Sequence, residues 1–134
     1  MTVAEMTEPI SDVISIRGYY KWNAGSPKVV GGTKGSFTAY LDACAALAKR
    51  TGKELLTSEA VWGAIDDKTH VEVMRYTLGE LRKRNVGIIV HALQHSLVAD
   101  LHYPAYGPVH APECLHFVNP DGSLRKGHEA FNEF

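Results

Sequence analysis

The side chains best suited to chemistry lie in the second half of the chain, where six of the seven histidines follow Val90. Imidazole and thiolate groups are the usual protein ligands of zinc. Two groups have plausible ligand spacing: His110-x-x-x-Cys114-x-His116, and His91-x-x-x-His95 if that segment is helical. The sequence has no CxxC and no HExxH motif, and Pro112 interrupts the first group. We therefore predict no metal site and no cofactor.

A second group of candidate residues is cationic. The segment from Val13 to Lys53 holds seven basic residues and one acidic residue, whereas Asn85 to Phe134 holds two basic and five acidic residues. A chain with this asymmetry can present a basic face to a polyanion although its net charge is -1. Ordinary solvation of the surface explains the same distribution, and both interpretations stay open.

Length and composition predict one small domain. A chain of 134 residues, 45% of them hydrophobic and 22% charged, can bury one moderate core. The first twelve residues carry three acidic residues, no Lys or Arg and no apolar run, so they match neither a signal peptide nor a membrane span. We expect a cytoplasmic protein with no membrane contact. Cys44 and Cys114 are far apart in sequence and are expected to be free thiols.

The helices and strands that must position these residues are predicted from the spacing of apolar residues and from the positions of glycine, proline and helix-capping residues. Residues 13–22 and 28–30 predict a β-hairpin, and glycines at 31, 32 and 35 predict a loop. Ser36 begins a first helix that ends at Gly52, residues 53–56 are extended, and Thr57 or Ser58 caps a second helix reaching residue 65. A capping box at Thr69-x-x-Glu72 begins a third helix that runs to about residue 84, where Asn85 closes it. Strands at 86–93 and 114–118, an Asn119-Pro-Asp-Gly122 turn and a terminal helix at 126–134 complete the prediction.

This order of elements resembles a winged helix-turn-helix domain over residues 36–118. The segment from Leu78 to Ile89 resembles the junction in that family where the recognition helix is followed directly by the first strand of the wing. The predicted fold is accordingly α+β, with a three-helix core, a small antiparallel sheet and an N-terminal β-hairpin. The predicted division is residues 1–35 as tail, hairpin and connection, and 36–134 as the winged-helix-like domain with a C-terminal extension.

The resemblance implies that the third helix enters the major groove of double-stranded DNA. The implied nucleic-acid-binding residues are Lys68, Thr69, His70, Arg75, Tyr76, Arg82, Lys83 and Arg84, with Lys34 on a backbone phosphate. Arg75 is the candidate for reading guanine, because a guanidinium donates two parallel hydrogen bonds, whereas residues 82–84 serve phosphates. The predicted function is a DNA-binding regulator or accessory protein.

Two alternatives stay open. The same fold can serve as a module that captures a protein partner or a second copy of the chain, and the predicted wing, residues 94–113, has no Lys or Arg to attract phosphate. His102, Asn119 and His128 also follow the order and spacing of a histidine-asparagine-histidine nuclease, which would hydrolyse phosphodiesters with a divalent ion. No acidic or histidine neighbour directly precedes His102, so we predict that the chain is not an enzyme.

Overall fold

The structure, a computed structural model, describes residues 3–18, 34–60, 67–90, 117–119 and 121–133. In these ranges the helices are α1 (Val3–Thr7), α2 (Lys34–Thr51), α3 (Asp67–Arg82) and α4 (Gly127–Asn132), and a short 3-10 helix spans Glu8–Ile10. The strands are β1 (Val13–Gly18), β2 (Glu54–Ala60) and β3 (Gly87–Val90). The prediction of a mixed helix and strand protein is thus confirmed. No described helix is both long and apolar enough to cross a bilayer.

The three strands form one parallel sheet in the order β1-β2-β3. The predicted small antiparallel sheet is therefore wrong. Parallel neighbours need a crossover that returns the chain to the starting end of the sheet, and α2 and α3 lie in sequence where these two crossovers are required. The winged-helix arrangement of three helices followed by an antiparallel wing is not found in the described residues.

The second predicted helix is wrong where the structure describes it. Residues 58–60, expected in its first turn, belong to β2, which pairs with β1 on one side and with β3 on the other. Glu59 pairs with β1, and Ala60 pairs with both β1 and β3, and this pairing outweighs the local capping preference of Thr57 and Ser58.

The first and third predicted helices are confirmed as α2 and α3, but Ser36 does not begin the first one, because α2 already includes Lys34 and Gly35. Gly52 follows α2 with φ +68° and Asn85 follows α3 with φ 55°, which is the left-handed backbone expected at both positions. Asp67 begins α3, so Thr69 lies inside the first turn and the expected capping box does not start the helix. The terminal helix is confirmed as α4, and Gly122 N donates to the Asn119 carbonyl in the predicted turn.

One hydrophobic core joins the sheet to the helices. It contains Ile14 and Ile16 from β1, Leu55 and Ala60 from β2, and buried residues of α2, α3 and α4: Phe37, Leu41, Cys44, Leu47, Ala48, Val73, Met74, Leu78, Leu81 and Ala130. Exposure alternates along β1: Ile14, Ile16 and Gly18 are buried, and Val13, Ser15 and Arg17 are exposed. Both crossover helices therefore cover the same face of the sheet. Among the described residues, the opposite face, called here the open face, presents Val13, Ser15, Arg17, Leu56, Glu59 and Ile89.

Several predictions lie outside the described residues. These are the second strand of the hairpin at 28–30, most of the glycine-rich loop, and the wing at 94–113. Of the strand predicted at 114–118, the structure describes Phe117 and Val118, and Val118 makes an isolated antiparallel bridge with Leu124. Of the hairpin strand predicted at 13–22, residues 13–18 form β1, which pairs with β2. Cys44 is a free buried thiol, as expected.

Candidate functional site

The carboxyl ends of the three strands meet at one edge of the sheet, because the strands are parallel. Arg17 and Gly18 end β1, Glu59 and Ala60 end β2, and Val90 ends β3. We call this end the carboxyl edge. In parallel α/β sheets, ligands bind in the crevice outside the carboxyl ends of the strands, where the loops to the following helices begin. The side chains at the carboxyl edge are therefore the first candidates for a ligand-binding or catalytic site.

Arg17 and Glu59 form an ion pair at the carboxyl edge. They are paired positions on neighbouring strands, and Arg17 Nε lies 3.6 Å from Glu59 Oε2. The Arg17 side chain is 72% exposed and the Glu59 side chain 33% exposed, so both charged groups remain accessible from solvent. The pair therefore offers a ligand one anion and one cation on the open face.

The backbone at this edge is closely packed. A Cβ built on Gly18 would lie 2.8 Å from Thr57 Cγ2, so a side chain at position 18 would push β1 away from β2. Thr57 is fully buried, and its hydroxyl donates to the Gly87 carbonyl at 3.3 Å, which ties β2 to β3. Glu59 is thus carried by a central strand held on both sides. A rigid strand positions a functional side chain more accurately than a loop does.

Several of the predicted DNA-binding residues on α3 make contacts within the chain. His70 is fully buried, and its ring packs against Phe117 and the backbone of Gly127. Arg75 donates from Nη2 to Glu133 Oε1 at 2.6 Å and from Nε to Oε2 at 3.1 Å, and this pairing raises the pKa of Arg75 and lowers the pKa of Glu133. Its two parallel donors are therefore occupied within the chain.

The cations at the end of α3 are also paired. Lys83 Nζ lies 2.6 Å from Glu80 Oε1, and Arg84 contacts Asp42 at 2.7 Å and Glu80 at 2.8 Å. These contacts raise the pKa of Arg84, with the Asp42 hydrogen bond as the largest cause. Binding of phosphates by these side chains would require breaking contacts with the chain's own carboxylates. DNA binding by α3 stays a prediction.

The remaining predicted nucleic-acid residues are Lys34 on α2 and Lys68, Thr69, Tyr76 and Arg82 on α3. Tyr76 is half-buried, its hydroxyl donates to the Lys34 carbonyl at 3.3 Å, and Lys34 Nζ lies 4.7 Å from the centre of its ring. Lys68 and Arg82 are exposed, and the side chain of Thr69 lies outside the described residues.

The nuclease alternative is only partly within the described residues. His128 Nδ1 lies 2.5 Å from the Arg125 carbonyl, and the Asn119 amide donates to Ser123 Oγ at 3.0 Å. His102 and the histidines from 91 to 116 are outside the described ranges. Within those ranges no three side chains of His, Cys, Asp or Glu form a group that could hold a metal ion.

A groove of about 310 Å³ lies away from the carboxyl edge. It is lined by Leu78, Arg82, Asn85, Val86, Ile88 and Phe131. Val86 precedes β3 and Ile88 lies in its first half, so the groove opens beside the amino half of that strand. It contains no carboxylate, and its lining is mostly apolar. The carboxyl edge is therefore the stronger candidate for catalysis.

The sequence pattern placed Glu59 in the first turn of the second predicted helix and Arg17 in the basic segment from Val13 to Lys53. A signal for both was present. Helical patterns at 36–52 and 69–84 separate three extended segments, and strands that alternate with helices indicate a parallel sheet. Residues at the ends of those strands must then meet at one edge, which would have brought Arg17 and Glu59 together.

Comparisons with known proteins give a fold likeness and no family. No protein family and no curated protein matches the sequence. The chain is similar in structure to a β-glucuronidase of Faecalibacterium prausnitzii, with a TM-score of 0.62 and 16% sequence identity. The match covers 96% of this chain and 22% of that chain, so this chain spans about a fifth of the enzyme's length. At this identity the likeness shows the fold alone.

Proposed function

We propose that the carboxyl edge of the sheet is part of a site that binds and hydrolyses a glycoside, with Glu59 as its ionised carboxylate. The observation that carries this proposal is the Glu59 carboxylate on the open face at the carboxyl end of the central strand, 3.6 Å from the Arg17 guanidinium. Glycoside hydrolysis usually requires two carboxyl groups around an oxocarbenium-like transition state. Glu59 supplies one of them.

In this proposal Glu59 acts as the nucleophile. One of its carboxylate oxygens bonds to the anomeric carbon as the glycosidic bond breaks, and the leaving oxygen takes a proton from a second carboxylic acid. Water then attacks the anomeric carbon, gives its proton to that second residue and releases Glu59. Arg17 places a positive charge beside Glu59 and is also suited to an anionic group on the sugar.

The second carboxyl group is not Glu54, the other acidic residue of β2 with an exposed side chain. Five residue steps separate Glu54 from Glu59, which corresponds to about 16 Å along a strand. The two carboxyl groups of a glycosidase lie within about 10 Å of one another. The proposal therefore requires a general acid from outside the described strands.

The fold likeness supports the choice of substrate class. A β-glucuronidase is named for cleaving β-glucuronides, whose sugar carries a carboxylate. An exposed guanidinium next to the proposed nucleophile suits a sugar of that charge. β-Glucuronides are therefore the first substrates to test on this chain, with neutral β-glucosides as the comparison.

The test is hydrolysis of a chromogenic β-glucuronide by the purified chain and two matched variants. We expect Glu59→Gln to lose at least about 100-fold in kcat/KM. Glu54→Gln removes a carboxylate from the same strand at the opposite end of the sheet and should stay within about twofold of wild type. Equal activity in Glu59→Gln and wild type, or no hydrolysis and no binding of either sugar by the wild-type chain, would reject the proposal.

A further inference from the structure

The central strand contains one more residue than its neighbours require. Ile16 pairs with Thr57, whereas the next residue of β1, Arg17, pairs with Glu59. On the other side, Thr57 pairs with Ile88 and Ala60 pairs with Val90, so three steps along β2 match two steps along β3. Both register shifts have the same origin, which is an extra residue at Ser58.

This extra residue reverses the alternation of side chains along β2. In a regular strand, residues two apart share a face, so Glu59 would share the face of Thr57. Thr57 is fully buried on the helix-covered face. In the structure Ala60 is the next residue buried on that face, also with no exposed surface, whereas Glu59 lies on the open face with Arg17. A β-bulge of this kind is known to redirect side chains next to active sites.

We infer that Ser58 is a positioning residue whose presence, rather than its hydroxyl group, directs the Glu59 carboxylate to the open face. The importance of this orientation for catalysis rests on the proposed function. The orientation itself does not, because it follows from register and burial alone.

A comparison of costs supports the inference. A bulge in a central strand disrupts the hydrogen-bond ladder locally, and it is rare in parallel sheets. Without the bulge, Glu59 would enter the core beside Ile16 and the apolar residues of α2 and α3, and an ionised carboxylate without a partner is among the most unfavourable groups to bury. The bulge avoids that burial and at the same time keeps Ala60 in the core.

The experiment deletes Ser58 and measures which face Glu59 occupies. Exposed carboxyl groups are coupled to glycine methyl ester with a water-soluble carbodiimide, and peptide mass spectrometry gives the labelled fraction of each residue. We expect labelling of Glu59 to fall at least fivefold in the deletion variant, with labelling of the exposed Glu54 unchanged as the internal reference. Ser58→Ala keeps the extra residue and should label Glu59 as wild type does.

A second variant keeps the test decisive if the deletion prevents folding. Combining the deletion with Glu59→Val places an apolar side chain where the carboxylate would be buried, so this double variant should melt well above the single deletion. Glu59→Val in the full-length chain should melt close to wild type, because the side chain there lies on the open face. A folded deletion variant with wild-type labelling of Glu59, or a double variant no more stable than the single deletion, would overturn the inference.

The two proposals fail separately. Labelling and melting temperature need no sugar, so they report the orientation of Glu59 even if Glu59→Gln proves fully active. Conversely, a loss of hydrolysis in Glu59→Gln together with unchanged labelling after deletion of Ser58 would keep the proposed function and reject the role of the bulge.

Discussion

The backbone of Gly127 lies directly against the ring of His70. A Cβ built on Gly127 would be 2.5 Å from both Cε1 and Nδ1 of that ring, closer than any real contact. Gly127 begins α4 and His70 is fully buried near the start of α3, so this contact joins the C-terminal segment to the helix that follows β2. The absence of a side chain at residue 127 lets the two helices approach.

Replacing this glycine should destabilise the fold. In Gly127→Ala the new methyl group would overlap a buried ring that has little room to move, so we expect a loss of about 1–3 kcal/mol in the free energy of unfolding. Urea denaturation followed by circular dichroism measures this loss. An unchanged midpoint would mean that α4 does not pack on His70 in solution.

Gly79 provides the opposite case in the middle of α3. A Cβ at Gly79 would meet nothing within 4 Å, and the residue is helical with no positive φ. Gly79→Ala should therefore stabilise the protein by about 0.5–1 kcal/mol, because alanine loses less backbone entropy on folding. The same urea experiment tests it, and a destabilised Gly79→Ala variant would show that the space beside α3 is filled.

Two Arg–carboxylate pairs of different exposure should contribute differently to stability. The Arg125 side chain is only 6% exposed, and its Nε donates to Asp67 Oδ1 at 2.9 Å. In the second pair, the side chains of Arg75 and Glu133 are 53% and 46% exposed. Asp67→Asn removes the charged acceptor of the buried Arg125 Nε and should cost about 1–3 kcal/mol. Glu133→Gln should lower the free energy of unfolding much less than Asp67→Asn does, because water solvates the exposed Arg75. Equal losses in the two variants would contradict the burial of Arg125.

The stability of the fold should depend on the ionisation of Glu80. Hydrogen bonds from Lys83 and Arg84 lower the pKa of its carboxyl in the folded chain. A lowered folded-state pKa stabilises the fold while the carboxyl is ionised, and this contribution is lost as the pH falls through that value. Between about pH 5 and pH 3 the urea midpoint of wild type should therefore fall more steeply than that of Glu80→Gln. Parallel pH profiles of the two proteins would contradict this assignment.

Binding of duplex DNA can be tested without any assumption about the carboxyl edge. Because Arg75, Lys83 and Arg84 are paired with carboxylates of the chain, we expect weak fluorescence anisotropy changes with mixed-sequence duplexes, even at low salt. Binding that is tight at low salt, weakens steeply with added salt and is reduced in Arg75→Ala would instead support the helix-turn-helix prediction.

The difference between the predicted and observed folds comes from a few residues of β2. The helical periodicity of α2 and α3 and the left-handed closure at Gly52 and Asn85 are local properties, and the sequence predicted them correctly. Residues 58–60 carry a local signal for a helix start, yet Glu59 pairs with Arg17, 42 positions earlier, and Ala60 pairs with Val90, 30 positions later. Pairing at such separations has no local signature, which is why the local pattern predicted a helix there.

The candidate site also depends on strand pairing that local sequence patterns do not predict. The sequence by itself determined which residues are charged, that residues 13–18 are extended, and that two long helices flank the extended segment that begins at residue 53. The tertiary structure alone decided that Glu59 faces Arg17, because that depends on a single extra residue in the central strand, and a shift of one residue exchanges the two faces of every position beyond it. Side-chain direction in a strand is set by its register with its neighbours, and register is a property of the assembled sheet.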